Sequence, residues 1–136
     1  GNDGVMAYAM PEEAPVSWIS HDSLGAFVHA AATRDVVGRS FRIGGPEPLT
    51  GPDVARTLTA VLGRHVAYVR IPPSALAEGL NMVFGAPAGD DIGSLYEAMS
   101  ATPDVMRRDP ADWADLGVVP ETLETWARRQ NWSIRP

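Results

Sequence analysis

Arg39-Ser40-Phe41-Arg42-Ile43-Gly44-Gly45-Pro46-Glu47-Pro48-Leu49-Thr50-Gly51-Pro52-Asp53 runs directly into Val54-Ala55-Arg56-Thr57-Leu58-Thr59-Ala60-Val61-Leu62-Gly63. Phe41 and Ile43 alternate with Ser40 and Arg42, the pattern of a short half-buried strand, and the Gly44-Gly45-Pro46 run ends it. Thr50 is placed to cap a following helix, with Asp53 at capping-box spacing and near the positive end of the helix dipole. Val54, Leu58, Val61 and Leu62 recur at helical spacing, and Gly63 stands where a left-handed terminal residue is wanted. The stretch predicts a strand, a glycine turn and an amphipathic helix. A glycine pair before a helix can hold an anion on unpaired backbone N–H groups, but turn geometry accounts for these glycines without one.

The elements on either side follow the same rules. Gly1 to Gly4 is polar and is expected to fray, and Val5, Ala7 and Ala9 alternate with Met6, Tyr8 and Met10 as an extended segment. Val16 to Ile19 reads as a strand, after which Asp22 is expected to cap a helix with Leu24, Phe27, Val28 and Ala31 on one face. Val66 to Ile71 is the best strand by composition, stopped by Pro72-Pro73. Ser74 to Phe84 predicts a helix with Leu76, Leu80 and Val83 inward, and Gly85 to Asp91 a flexible linker before Ile92, Leu95, Tyr96 and Met99 resume the period. Asp109-Pro110-Ala111-Asp112 opens a short helix through Leu116, and Pro120 is expected to open a last one with Leu123, Trp126 and Ala127 inward. Trp132 and Ile134 are expected to anchor the tail. With 136 residues the chain has the length of one domain, large enough for its own core.

Composition excludes several chemistries. There is no cysteine, and all 11 basic residues are arginine, so thiolate, lysine Schiff-base and P-loop lysine chemistry are absent from this sequence. A formal charge of -6 is the wrong sign for non-specific nucleic-acid binding. No apolar run reaches the roughly 18 to 20 residues of a membrane span, so no membrane partner is expected and the cytoplasm is the expected compartment. His21-Asp22, His29 and Asp90-Asp91 look like catalytic or metal groups only in isolation. Aspartates at helix starts cap and favour the dipole, and the histidines lack partners at ligand spacing, so no catalytic, cofactor-binding or metal residue is assigned. Tyr8 and Met10, with Met82 and Phe84 at the end of a helix less polar than a solvated terminus should be, are the candidates for an apolar substrate pocket.

Three runs together resemble a known family. Trp18-Ile19-Ser20-His21-Asp22-Ser23-Leu24-Gly25, Gly38 to Thr50, and Leu62-Gly63-Arg64-His65-Val66-Ala67-Tyr68 are similar to the C-terminal half of NmrA-like proteins. These are atypical short-chain dehydrogenase/reductase relatives, also close to nucleoside-diphosphate-sugar epimerases, and the resemblance covers most of residues 5 to 132. It implies an α/β fold with α+β character, about three to four short strands, partly parallel, and five to six helices, as the C-terminal part of an extended Rossmann-type fold. It further implies that residues 1–136 form the substrate-side portion of a longer protein, inactive alone, whose other half holds NAD or NADP. The family's Gly-x-x-Gly-x-x-Gly turn and Tyr-x-x-x-Lys pair do not occur here.

In such a parent the strand at Phe41 to Ile43 is expected to join the Rossmann sheet, while those around Trp18 and Tyr68 pair with each other. The implied partners are a small organic substrate, the Rossmann half and a second copy of the chain. A dinucleotide-sensing regulator that binds a protein partner, and a free-standing interaction module, are the alternative functions.

Overall fold

A computed structural model describes residues 3–133. Along the chain run β1 (Gly4–Tyr8), β2 (Val16–Ser17), α1 (His21–Thr33), β3 (Pro48–Leu49), α2 (Gly51–Leu62), β4 (Val66–Arg70), α3 (Pro73–Phe84), α4 (Ala88–Ser100) and α5 (Leu123–Arg129), with 3-10 helices at Pro103–Met106 and Pro110–Leu116 between the last two. They form two compact units that alternate along the sequence. The first holds the residues up to Pro15 together with Thr50–Met106; the second holds Val16–Leu49 and the residues from Arg107 onward. The fold is mixed α/β with one parallel strand pair, as the sequence implies. None of the helices among the described residues is long and apolar enough to cross a membrane.

In the first unit β1 and β4 run parallel, with Gly4 opposite Val66 and Tyr8 opposite Arg70. The predicted frayed terminus therefore overlaps this ladder at Gly4, while Gly1 and Asn2 lie outside the described residues. The helix between Thr50 and Gly63 forms as its sequence dictates. The Thr50 hydroxyl accepts from Asp53 N, the Asp53 carboxylate accepts in return from Thr50 N, and Gly63 closes the helix at φ 63°. Thr59 ties this helix to β4, its hydroxyl accepting from Val66 N at 3.0 Å.

The next two helices depart from expectation. Ala77, not Val83, is the buried position of α3, because α4 meets it with Gly89 and Gly93. A Cβ on Gly93 would stand 2.8 Å from that of Ala77 and 3.1 Å from the Pro73 carbonyl oxygen, so only glycine allows this approach. The expected linker shrinks to Gly85, Ala86 and Pro87, and Asp90 and Asp91 lie in the first turn of α4. Asp90 accepts there from the Asn81 amide at 2.8 Å.

The second unit is built on Phe27, Ala30, Trp113 and Leu116, with Ile19, Val36, Phe41, Ile43 and Val118 packed around them. Phe27 and Trp113 meet edge to face at 5.6 Å. Ser20, not Asp22, caps α1, and its buried stripe is Ser23, Phe27 and Ala30. Leu24 and Val28 are left exposed, because the face turned inward is the one on which Phe27 packs against Trp113 and Ser23 Oγ accepts from Glu121 N at 3.0 Å. Thr122 caps α5 in place of a proline start, and Ala127 is fully buried. Trp132 donates to the Ala127 carbonyl at 2.7 Å, as a tail anchor should; Ile134 lies outside the described residues.

Two strand expectations are overturned. Phe41 to Ile43 forms no strand: its apolar side chains reach the core as the alternation requires, but its backbone joins no ladder among the described residues. Nor do the segments at Trp18 and Tyr68 pair. β2 is only two residues long before Ser20 caps α1, and it pairs antiparallel with β3, Val16 opposite Leu49. The Tyr68 strand is matched residue for residue with β1 instead.

Candidate functional site

In open α/β sheets ligands gather beyond the carboxyl ends of the strands, which here directs attention to the end of β1. Tyr8 is its last residue, and Ala9 and Met10 behind it are buried. The Tyr8 hydroxyl is hydrogen bonded to that of Tyr96 on α4, and the two rings meet edge to face with centroids 5.4 Å apart. Tyr68, on the neighbouring strand, donates its hydroxyl to the Met10 carbonyl at 2.6 Å. Burial, followed by the hydrogen bond to Tyr96, raises the Tyr8 pKa well above the ordinary phenol range. Burial and then the charge of Glu12 raise that of Tyr68. Both phenols stay protonated at neutral pH. Tyr68 also lines an open depression of about 350 Å³, whose walls include Glu12, Arg56 and His65.

Of the residues singled out from the sequence, Tyr8 and Met10 lie together at this strand end. Met82 and Phe84 stand in solvent at the end of α3, 85% and 70% exposed. The sequence reading missed Tyr96 as the partner of Tyr8. Its position beside Ile92 and Met99 marks it as one more member of a helical stripe, and nothing local announces a contact spanning 88 residues.

The other chemistry-bearing motifs have structural roles. His21 and Asp22 open α1, and Asp22 pairs with Arg129 at 2.6 Å. Gly45 donates to the Ser17 carbonyl at 3.1 Å, and any Cβ on it would collide with the Trp18 carbonyl oxygen. Gly45 is thus a close approach of two backbones, and a Cβ on Gly44 would crowd the Arg108 and Ser17 side chains, so packing accounts for both glycines. No group of three or more histidine, aspartate or glutamate side chains among the described residues could hold a metal.

No protein-family model matches the chain. Its sequence is 27% identical over 101 residues to the NAD(P)H azoreductase of Xenophilus azovorans, covering 64% of this chain and 35% of that protein. Its fold matches an NADPH-dependent quinone oxidoreductase of Escherichia coli with a TM-score of 0.70 at 18% identity, over 91% of this chain and 45% of the other. The triphenylmethane reductase of a Citrobacter species matches with a TM-score of 0.66 at 15% identity, over 93% and 45%. The chain shares part of their Rossmann-like fold. It spans about a third of the length of the curated relative (35%) and less than half of each solved one (45%).

Both solved reductases have been seen with the cofactor, NADPH in one and NADP(H) in the other. Two places where the sequence of this chain could hold a phosphate are already engaged within the fold. Besides the packed glycine pair, the α2 N-terminus is occupied by the Asp53 carboxylate, which would repel a phosphate from the helix end that would otherwise attract it.

Proposed function

We propose that this chain is the substrate-side portion of an NmrA-like, NAD(P)H-dependent oxidoreductase acting on a small, conjugated organic acceptor. The reading is carried by the convergence of the comparisons: a sequence relative named for azo reduction, and fold relatives named for quinone and triphenylmethane reduction. Those three acceptor classes share extended conjugation and an electron-poor centre. In this reading the cofactor belongs to the Rossmann half of the parent protein, and the present chain does not turn over alone.

The Tyr8–Tyr96 pair supports the assignment. A phenol held protonated at a strand's carboxyl end can offer its hydrogen to an oxygen or nitrogen of the acceptor. Met10 gives that corner an apolar floor, and Met82 and Phe84 supply flexible apolar surface for the rest of the ligand or for the other half of the protein.

The test is made on the longer protein that carries this sequence, following consumption of the reduced nicotinamide in the presence of a quinone or an azo dye. Turnover is expected, with Tyr8→Phe lowering kcat/KM about tenfold, the size of one lost hydrogen bond. Titration calorimetry on the 136-residue chain should detect no NADPH binding. Tight binding there, or its absence in the longer protein, overturns the proposed division of roles.

A further inference from the structure

The second unit contains a partly open pocket of about 130 Å³ lined by Trp18, Ile19, Leu123 and Trp126, with Ser20, Glu121 and Thr122 completing its wall. Its polar groups are engaged elsewhere. Ser20 Oγ accepts from Ser23 N and donates to Ser23 Oγ, each at 3.1 Å. Thr122 Oγ accepts from Thr125 N at 3.1 Å. The Glu121 carboxylate receives both Nε and Nη2 of Arg129, at 3.0 and 2.6 Å, a bidentate pair whose Nη2 is shared with Asp22.

The aromatic walls are held in place too. Trp18 Nε1 donates to the Leu49 carbonyl at 3.4 Å. Trp126 is braced edge to face by Trp132, with ring centroids 5.8 Å apart, and Trp132 is itself pinned to Ala127. Walls fixed by their own bonds do not have to be ordered when a ligand arrives, which removes part of the cost of binding.

We infer that this pocket is a binding site for a neutral, single-ring aromatic group. Size sets the scale: an apolar cavity of about 150 Å³ is known to accept benzene, so 130 Å³ seats one ring, and a second fused ring would stand out through the open side. Polarity sets the charge. The hydroxyls are engaged and the one charged group in the wall is a carboxylate, so an anion finds no compensation there for lost hydration, whereas two indoles offer an aromatic ring edge and face contacts. The inference stands on the second unit alone and is independent of the oxidoreductase assignment.

Toluene, anisole and benzoate are titrated into the 136-residue chain while the tryptophan indole N–H resonances are followed by NMR, each assigned by Trp→Phe substitution. Toluene and anisole should shift the Trp18 and Trp126 signals to saturation and leave the core Trp113 signal in place, and benzoate should bind at least about tenfold more weakly. Leu123→Trp, which fills the pocket, should weaken both neutral probes about tenfold or more with the Trp113 signal unchanged. Should that variant fail to fold, Ile19→Phe makes the same test from the opposite wall. No saturation by either neutral probe, equal affinity for benzoate, or undiminished binding to a folded filled variant overturns the inference.

Discussion

The two units solve the same stability problem with different materials. The second is organised around large side chains: Phe27 and Leu116 are the largest fully buried residues described, and Trp113 is 3% exposed. The first buries mainly small or slender ones, Ala9, Ala55, Ala77, Val54 and Val66, and leaves Val5, Met82, Val83 and Phe84 in solvent. Its order comes from backbone devices instead, namely a parallel ladder, a capping box and glycine-mediated helix contact. An aromatic core gains stability in proportion to buried area, whereas ladders and close contacts gain it from geometry and fail when geometry changes.

The largest expected effect tests the aromatic side of this contrast. Trp113→Ala removes a ring packed edge to face on Phe27 and leaves a cavity that α1 cannot close while Ser23 holds it to Glu121. A loss of about 3–5 kcal/mol is expected in denaturant unfolding. A loss below about 1 kcal/mol would mean that the second unit is no more dependent on its core than the first.

The next pair of substitutions tests the geometric side. A Cβ at Gly79 on α3 would have nothing within 4 Å, whereas one at Gly93 on α4 would meet Ala77 Cβ at 2.8 Å. Helix propensity favours alanine at both by roughly 0.5–1 kcal/mol. Gly79→Ala should therefore raise the melting temperature, and Gly93→Ala should lower it by overpacking, with Gly93→Leu lower still by about 1–3 kcal/mol in all. A melting temperature raised by Gly93→Ala would show that close approach is not what joins these helices.

The contrast also explains what was legible beforehand. Thr50, Asp53 and Gly63 declared the ends of α2 because caps are local chemistry, and Val66 to Arg70 declared itself a strand by its β-branched and aromatic content. Partners were not legible. Phe41 and Ile43 alternate as a strand does and do face a core, yet whether an extended segment joins a ladder depends on which edge is free, and that is decided elsewhere in the chain. The same holds for the Trp18 segment, which found Leu49 instead of Tyr68. Leu24 and Val28 share the helical period with Ser23, Phe27 and Ala30, and which of the two adjoining stripes turns inward is decided by packing on Trp113 and Glu121, far along the chain. At the candidate site, Tyr8 could be singled out from its position, but its partner Tyr96 could not, since only the fold brings α4 to β1.

The smallest effect separates the units by pH. The Asp53 pKa is held below its ordinary 3.8, first by the Thr50 hydroxyl, then by the Thr50 backbone N–H, then by Arg56. A depressed carboxylate contributes stability that is complete above the unfolded-state value and is lost as pH falls through the lower folded-state value. Asp53→Ala should thus cost about 1 kcal/mol near neutrality, and the gap from the parent chain should narrow in thermal melts taken below pH 3.8. The cap of α5 in the second unit is a hydroxyl, Thr122 accepting from Thr125 N, and has no proton to gain over this range. Thr122→Ala should cost a similar amount, about 1 kcal/mol, with no such narrowing. If both gaps close together in acid, the loss belongs to the net charge of the chain and not to the titration of a single cap.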